Sequence, residues 1–336
     1  FSVKDEREGL EWNSTGLGGL FAQKRNLFSP SFHRLWRGIL RFNREARELL
    51  SDDGTTTLGA WLERKRYPRE VVDQFVIPMG GAVWSASVEQ MLDFPAKYFV
   101  EFFDHHGFLQ LTGAPKWRVV QGGSKRYVEP LIRPFRDRIL TGVPVERVRR
   151  FADRVEITAR GAGTRRFDAV VLAVHSDQAL RMLGDPSRAE REILSCFPYQ
   201  PNEAVLHTDE RLLPRARRAW GAWNYHIPRE GQPTVAVTYG MNLLQSLDAP
   251  VQFLVTLNRT ADIDPAKVIS RIDYAHPVYT RAGVAAQRRR QEISGVNRTF
   301  YAGAYWGYGF HEDGLRSGYE AAAAVADSRP LLEQAA

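Results

Sequence analysis

Apolar residues recur at helical spacing from residue 29 to residue 108. Leu35, Ile39 and Phe42 stand three or four positions apart, and the same spacing returns around Trp61. This spacing places one apolar stripe along each helix, where it can be buried against a neighbouring element. The sequence therefore predicts a mostly helical segment over 29–108.

The pattern changes between residues 117 and 183, where strands are predicted around one helix. The stretch "WRVV" predicts a short strand and "QGGS" a tight turn, followed by an amphipathic helix with Ser124 near its N-cap. "VPVERVRRF" and "RVEITAR" alternate as strands do. The apolar run "FDAVVLAV" is typical of a strand buried on both faces, which implies a sheet covered by helices.

Residues 202–280 are rich in strand signals. "EAVLHTD", "AWNYHIP", "TVAVTYGM" and "QFLVTLN" carry β-branched or aromatic residues between turn formers, and together they predict a second sheet. The strand "RTFYAG" and the helix after it are predicted to return to the first domain. Two domains would then interleave along the chain.

Composition narrows the class of protein. The chain has 336 residues, 43% of them hydrophobic, so it can bury a sizeable core. Its single cysteine, Cys196, excludes an internal disulfide and fits a reducing compartment, for which we expect the cytoplasm. No apolar run approaches the length of a membrane span. The net charge of +7 is spread along the chain, which favours a solvated surface over a nucleic-acid groove and leaves weak attraction to acidic lipids open.

The histidines outside the C-terminal region predict no metal site. His105 and His106 are adjacent, so on a helix they point about 100° apart and cannot form a metal pair. His175 stands directly before Ser176 and Asp177, an arrangement that favours helix capping over a catalytic triad. His276, before a proline, is expected to shape a turn, with lining of a substrate cavity as the alternative.

The C-terminal stretch "FYAGAYWGYGFHEDGLRSGYEAAAAV" predicts a ligand site. A strand ending at Ala302, Gly303, and a helix beginning near Asp313 would point a helix N-terminus at whatever the loop holds, and such an end favours an anion. Glycines in the loop would let the backbone approach a flat ligand, and four aromatic residues could stack on it. A flavin fits this description. An aromatic loop that only packs a core is the alternative.

Several motifs in order resemble a known superfamily. "AGAYWGYGFHEDGLRSGYEAAA" resembles the C-terminal flavin motif of the monoamine oxidase and phytoene desaturase superfamily, and "QGGSKRYVEPL" resembles its internal glycine pair. "VPVERVRR" and "FDAVVLAVHSDQAL" resemble its adenine-side strand and the strand beneath the cofactor. The chain is most similar to bacterial NAD/FAD-binding amine-oxidase-like proteins, and to the flavoprotein region of plant cyclopropane fatty acid synthases. "DYAHPVYT" and "GAYWGYGFHEDG" look like signatures of that group, and the likeness covers nearly the whole chain.

This resemblance implies an α/β fold, with an FAD/NAD(P)-binding Rossmann-like domain interleaved with a substrate domain of mixed sheet and helices. The implied limits are 1–112 for the helical part of the substrate domain and 113–183 for the first FAD-binding segment. Residues 184–290 would form the substrate-domain sheet, and 291–336 the C-terminal FAD-binding segment.

The resemblance also assigns residues to a non-covalent FAD. Val145 would meet adenine through its backbone, and an aromatic at the position of Phe310 lies beside the ring in amine oxidases. His311 is the best acid/base candidate. Cys196 lies outside every cofactor motif, so no covalent link is expected. The full set of implied cofactor-binding residues is Gly122, Gly123, Val145, Ala173, Val174, Gly303, Ala304, Tyr305, Gly309, Phe310, His311, Glu312, Asp313 and Gly314.

The implied function is an FAD-dependent oxidoreductase that removes hydride from a C–N or C–C bond of an apolar or amine substrate. Two departures from the pattern bear on this. Ala304 replaces the usual acidic residue, and "NEAVLHTD" has no lysine where amine oxidases often hold one. A lipid or isoprenoid desaturase or isomerase is therefore the alternative enzyme, and a non-catalytic ligand- or partner-binding domain the alternative of another class.

The GxGxxG fingerprint of dinucleotide-binding proteins is expected near the N-terminus but is not found there. "TGLGGL" at 15–20 is read as a loop, since no strand-to-helix context with a following acidic residue accompanies it. We therefore expect the chain to be truncated at its N-terminus, with the first βαβ unit missing and FAD binding weakened.

Overall fold

The computed structural model describes residues 1–110, 118–230 and 234–334, with side chains up to residue 328. Its strands are β1 Ser2–Asp5, β2 Leu10–Asn13, β3 Val145–Arg150, β4 Val155–Ala159, β5 Gly163–Phe167, β6 Val170–Leu172, β7 Tyr199–His207, β8 Trp223–Ile227, β9 Val237–Gly240, β10 Leu254–Leu257, β11 Val268–Pro277 and β12 Thr299–Tyr301. Its helices are α1 Gly16–Leu20, α2 Pro30–Glu45, α3 Leu58–Arg64, α4 Arg69–Val71, α5 Ile77–Trp84, α6 Val88–Leu92, α7 Ala96–His105, α8 Lys125–Ile132, α9 Ser176–Met182, α10 Arg188–Leu194, α11 Met241–Gln245, α12 Arg281–Gln287 and α13 His311–Gln334. Within these stretches, no helix combines the length and the apolar character needed to cross a bilayer.

The chain divides into two compact units, each built from two separated stretches. Unit 1 contains Phe1–Leu131 and Gln200–His276, and unit 2 contains Ile132–Tyr199 and Pro277–Ala336. The functional domain limits implied by the resemblance stay a prediction, and the limit between residues 112 and 113 lies outside the described residues.

Unit 1 contains a seven-stranded mixed sheet in the order β11-β7-β10-β9-β8-β1-β2. The sheet predicted from residues 202–280 is confirmed by β7, β8, β9 and β10, which pair antiparallel in the order β7-β10-β9-β8. The N-terminal strands were not predicted. β1 pairs antiparallel with β2 on one side and parallel with β8 on the other.

One face of this sheet carries a buried chain of polar side chains. His207 Nε2 lies 2.7 Å from Thr256 Oγ1, which lies 2.8 Å from Thr238 Oγ1. Thr238 Oγ1 in turn lies 2.8 Å from His226 Nε2. The four side chains are at most 1% exposed. Hydrogen bonding across four strands therefore satisfies most of the polar atoms that burial would otherwise leave unpaired.

The backbone of residues 211–216 lies against this polar face. Lys4 Nζ donates to the carbonyl oxygens of Arg211 and Leu213, each at 3.2 Å. The Glu11 carboxylate accepts 2.9 Å hydrogen bonds from the N–H groups of Arg215 and Ala216. Side chains from β1 and β2 thus fix the segment in place.

The predicted helical segment is confirmed, and it packs around aromatic side chains. Helix α2 begins where Ser29 Oγ accepts a hydrogen bond from Phe32 N–H. Phe42 is fully buried, with ring centroids 5.8 Å from Trp61 and 6.4 Å from Phe99 in edge-to-face geometry. Edge-to-face contacts of this kind add to the stability gained by burial.

The interpretation of "TGLGGL" as a loop is wrong. Residues Gly16–Leu20 form helix α1, directly after strand β2. A β-carbon on Gly19 would lie 3.0 Å from the Asn13 side chain, so close packing on the strand requires glycine there. Because β1 and β2 form an antiparallel hairpin, this strand and helix are not part of a βαβ unit.

Unit 2 contains two small sheets, an antiparallel one in the order β3-β4-β5 and a parallel pair of β12 with β6. The strands predicted in "VPVERVRRF" and "RVEITAR" are confirmed, whereas β5 was missed. Of "WRVV", Trp117 lies outside the described residues and 118–120 are not a strand. Val171 of β6 is 43% exposed, so the expectation of burial on both faces is wrong here: only alternate side chains of this short strand point into the core.

A buried ion pair joins the elements of unit 2. Arg150 of β3 donates to the Glu190 carboxylate of α10 at 2.7 and 3.0 Å. Tyr301 of β12 donates its hydroxyl to the same carboxylate at 2.6 Å. Burial alone would raise the pKa of Glu190, but the hydrogen bonds from Arg150, Tyr301 and the Ser187 N–H lower it to about 2. The carboxylate therefore stays ionised inside the core.

Candidate functional site

The two parallel strands of unit 2 end at the same edge. Tyr301 of β12 pairs with Leu172 of β6, and the Ala302 N–H donates to the Leu172 carbonyl at 3.1 Å. Ala173 and Gly303 therefore leave the sheet side by side. Ligands of α/β folds bind outside the carboxyl ends of parallel strands, so a binding site is expected at this edge.

The loop after β12 is held by its own unit. Gln287 Nε2 donates to the carbonyl oxygens of Tyr305 and Gly307, each at 2.9 Å. The Tyr305 ring is 4% exposed and lies 5.0 Å from Phe197, and the Trp306 ring lies 5.3 Å from Phe197. These two aromatic residues therefore pack in the core, as the alternative interpretation of the loop proposed.

Side chains of unit 2 already occupy the space beside three loop glycines. A β-carbon on Gly303 would lie 2.4 Å from the Tyr305 ring, and one on Gly307 would lie 2.2 Å from Asp313 Oδ1. A β-carbon on Gly309 would lie 2.6 Å from the Tyr279 hydroxyl. At these positions, glycine is required by contacts within the protein.

Gly314 is different, because a β-carbon placed there would clash with no protein atom. The nearest atom to a β-carbon placed there is the Ala304 β-carbon, at 3.9 Å. Gly314 lies in the first turn of α13, next to the end of β12. A β-carbon on Gly314 would therefore be in ordinary van der Waals contact with Ala304, and the two small residues let the first turn of the helix lie close to the end of β12.

Asp313 and Ser317 organise the beginning of α13. Asp313 Oδ2 accepts a 3.1 Å hydrogen bond from the Phe310 N–H. Ser317 Oγ accepts one from the Gly303 N–H at 2.9 Å and donates to the Gly314 carbonyl at 2.8 Å. The Gly303 amide is thereby used inside the protein, and the end of β12 is tied to the first turns of the helix.

The electrostatics of the helix end are mixed. A helix N-terminus carries roughly half a positive charge. Glu312 and Asp313 lie in the first turn of α13, and Arg316 donates to Asp313 Oδ1 at 2.7 Å. Burial raises the pKa of the nearby Tyr305 hydroxyl far above its usual range, so this group stays neutral. His311 and Glu312 are exposed at the helix end.

Several predicted site residues meet at this edge, and others lie elsewhere. Ala173 and Val174 follow β6, while Gly303, Ala304 and the residues from Phe310 to Gly314 follow β12. Val145 begins β3 opposite Ala159. Gly122 and Gly123, both with positive φ, form the turn before α8 in unit 1. Their role toward the flavin stays a prediction.

Three side chains that build the site were missed from the sequence. Ser317 and Gln287 give no local signal, since polar residues on a helix usually face solvent. Tyr279 lies in the signature "DYAHPVYT", but only the structure shows that it packs against Gly309.

The remaining histidines have structural partners. The prediction that His175 caps a helix is confirmed in position: it is the N-cap residue of α9, where its backbone N–H donates to Gln178 Oε1 at 3.3 Å and its side chain makes no cap hydrogen bond. His276 Nδ1 lies 3.1 Å from Asn202 Nδ2 on β7. Cys196 donates its thiol to the Glu192 carbonyl. In the stretches that the structure covers, no group of three or more acidic, histidine or cysteine side chains could hold a metal ion.

Comparison with known proteins finds one matching family model and several solved structures of similar fold. A family model described as flavin containing amine oxidoreductase matches residues 16–239, more than half of the chain. Similar solved structures include putrescine oxidase bound to putrescine, with a TM-score of 0.62 and 13% identity over 97% of this chain and 80% of that one. Cyclohexylamine oxidase from Brevibacterium oxydans IH-35A has a TM-score of 0.61 and 15% identity over 98% and 80%. A CLA-producing fatty acid isomerase from P. acnes has 0.56 and 14% over 95% and 78%. No curated protein matches.

Proposed function

This chain belongs to the flavin containing amine oxidoreductase family, and on that premise we propose that it removes hydride from a C–N or C–C bond of a small apolar or amine substrate. Membership of the family makes the chain an FAD-dependent oxidoreductase with an α/β fold that includes a Rossmann-like FAD-binding domain. The class of bond that is oxidised is the proposed part.

The observation that carries the proposal is the edge formed by β6, β12 and the beginning of α13. Gly303 is tied to Ser317, and Gly314 lies next to Ala304 without a side chain of its own. A flat ring edge that gathers negative charge fits such a place, because the helix N-terminus is partly positive and lacks a side chain at Gly314. The residues present therefore fit the flavin.

When bound, FAD supplies the redox chemistry by accepting the hydride. The chain supplies orientation. Asp313 fixes the turn before α13 through the Phe310 N–H, so that the backbone of the first turn is held rigidly. We assign the acid/base role to His311, whose exposed side chain begins the helix. Val145, Ala173 and Val174 are proposed to line the rest of the cofactor cleft.

A second candidate is hydride removal from a C–C bond of a lipid, as in a desaturase or isomerase. The supporting observation is strand β7, Tyr199–His207, which contains no lysine at the place where amine oxidases often hold one. A fatty acid isomerase is also among the proteins of similar fold. For the cellular location we propose the cytoplasm, since the single cysteine fits a reducing compartment.

Anaerobic reduction of the flavin tests both candidates. The protein is loaded with FAD and mixed with primary amines, polyamines or unsaturated fatty acids, and the loss of oxidised-flavin absorbance is followed. Bleaching by amines supports C–N oxidation, and bleaching by fatty acids alone supports a lipid desaturase. An isomerase returns the hydride to its substrate, so it is detected instead by a shifted double bond in the recovered fatty acid. Loaded protein that no compound reduces, and that shifts no double bond, would contradict the proposal.

A further inference from the structure

The polar row of unit 1 consists of four buried side chains, His207, Thr256, Thr238 and His226. Three hydrogen bonds join them in that order, at 2.7, 2.8 and 2.8 Å. Each of these bonds needs one hydrogen. A hydroxyl carries one hydrogen and accepts through its lone pairs, so the two threonines supply two of the three. The third hydrogen must come from the Nε2 atom of one histidine, and the Nε2 atom of the other histidine must accept.

The backbone of Asp209 decides which histidine donates. Its N–H donates to His207 Nδ1 at 3.0 Å. Since a backbone N–H can only donate, the Nδ1 atom of His207 carries no hydrogen. Burial lowers the pKa of His207, so the ring is neutral at pH 7 and its one hydrogen is on Nε2. His207 therefore donates to Thr256, and all three hydrogen bonds of the row point toward His226.

This direction also fixes the hydrogen of His226. Its Nε2 accepts from Thr238, and burial keeps the ring neutral by lowering its pKa well below 6.5, so its hydrogen is on Nδ1. Among the residues that the structure describes, this Nδ1 has no hydrogen-bond partner, although His226 is only 1% exposed. Buried donors in folded proteins are nearly always paired, with internal water where no protein group reaches them. The row therefore ends on a donor that needs an acceptor.

The groups around His226 favour a small neutral acceptor. Lys4 stands opposite His226 in the pairing of β1 with β8, and the charges of Arg259 and Lys4 both act on the ring. Neither cation can accept a hydrogen bond. Glu6 lies 4.0 Å from Lys4 and 3.1 Å from Arg259, which also pairs with Asp262, so the local charge is balanced and no anion is required. Lys4 and Glu6 line a cavity of about 560 Å³, which gives water access to this side of the row.

We propose that a buried water molecule binds at His226 and accepts the hydrogen of Nδ1, with His207 in the Nε2–H form and His226 in the Nδ1–H form. Water suits this place because it accepts from one group and donates to the next. The number of hydrogens in the row is then fixed. A proton added to His226 would place two hydrogens between one pair of atoms and break one of the three bonds. The inference rests on unit 1 alone and does not depend on the flavin or on which bond the enzyme oxidises.

Neutron diffraction from deuterated crystals of the full chain locates the hydrogens and the water directly, without any substitution. We expect deuterium on Nε2 of His207 and on Nδ1 of His226, with a water oxygen about 3 Å from the latter. Deuterium on Nε2 of His226, or on Nδ1 of His207, would overturn the assignment of the row. An Nδ1 of His226 that faces no water, or faces an ion, would overturn the proposed site.

Long-range ¹H–¹⁵N NMR of histidine-labelled protein tests the row in solution, since the two neutral forms of histidine give different nitrogen shifts. His226→Gln identifies the resonances of His226. Thr256→Val removes one hydroxyl, so nothing then forces His226 to accept through Nε2, and the Nε2–H form should appear beside the Nδ1–H form. Thr256→Ser is the matched control and should keep the Nδ1–H form alone, as in the native protein. The Nδ1–H form alone in all three proteins would show that the row does not set the position of this hydrogen.

Discussion

The hydroxyl oxygen of Tyr279 lies 2.6 Å from the ideal position of a β-carbon on Gly309. The two residues belong to the two separate sequence stretches that look like group signatures, "DYAHPVYT" and "GAYWGYGFHEDG". Gly309 also has a φ of +94°, which side chains other than glycine rarely tolerate. The Tyr279 hydroxyl in one stretch therefore restricts position 309 in the other stretch to glycine.

We expect Gly309→Ala to lower the free energy of unfolding by about 1–3 kcal/mol, through backbone strain and the clash with Tyr279. Urea unfolding measures the change. Gly161→Ala is the control, because Gly161 also has positive φ but nothing within 4 Å of the added carbon. Adding Tyr279→Phe to Gly309→Ala should recover part of the loss. An equal cost at Gly161 and Gly309 would refute the steric part of this explanation.

Gly314→Val should weaken FAD binding at least tenfold, since a branched side chain would press on Ala304 and keep the proposed flavin edge away from the helix backbone. Quenching of flavin fluorescence during titration with FAD measures the affinity. Gly318→Val makes the same change one turn later on α13, where a β-carbon meets nothing within 4 Å. Unchanged FAD affinity in Gly314→Val would show that the flavin edge does not lie against this helix.

Glu190→Gln should destabilise the protein by about 3 kcal/mol, because Arg150 would remain buried without its main counter-charge. In the native protein, the folded pKa of Glu190 is about 2, below its value of 4.5 in the unfolded chain. Its contribution to stability is therefore fully present above pH 4.5 and is lost as the pH falls toward 2. Unfolding curves between pH 5 and pH 3 should show a steeper loss in the native protein than in Glu190→Gln.

His226 predicts a second pH effect, at milder acidity. Burial lowers the pKa of His226 well below 6.5, so the unfolded chain takes up a proton that the folded chain does not. Stability is complete above pH 6.5 and falls by at most about 1.4 kcal/mol per pH unit below it. His226→Gln should reduce this slope, and His33→Gln, at a half-buried histidine of α2, should not. Identical slopes in all three proteins would mean that His226 charges as easily when folded.

Acid precipitation tests whether the flavin is bound without a covalent link. Cys196 packs against the core of unit 2, and its thiol donates to the Glu192 carbonyl. All of the yellow colour should pass into the supernatant when loaded protein is precipitated with acid. Colour retained in the washed pellet would show a covalent attachment.

The sequence predicted the elements whose signal is local. The strands β7 to β10 were found because β-branched and aromatic residues alternate there between turn formers. The beginning of α13 was found within two residues of its position, since glycine and acidic residues precede an alanine-rich run. The family and its cofactor were found for a related reason, because short sequence motifs in a fixed order can be recognised without knowing any contact.

What the sequence could not predict depends on distant contacts. Thr238 and Thr256 occupy alternate strand positions that usually face solvent, whereas here both are buried and hydrogen-bonded to the partner histidines. The glycines at 303, 307 and 309 indicated a close ligand, whereas protein side chains fill the space beside each of them. A glycine in a sequence indicates that another group approaches the backbone closely, but it does not show whether that group is a ligand or a protein side chain.

The two stretches that form each compact unit also set an order of events during synthesis. The chain passes from one unit to the other after residues 131, 199 and 276. Strand β12 and helix α13 follow residue 276 in the chain, so β6 has no parallel partner until they have been synthesised. Domains that are continuous in sequence can fold while the rest is still being translated. Unit 2 is not continuous in sequence, so its first stretch cannot complete its fold until the second stretch has been synthesised. A premature stop codon after residue 276 would leave that first stretch, with the Glu190 carboxylate, exposed to chaperones and proteases.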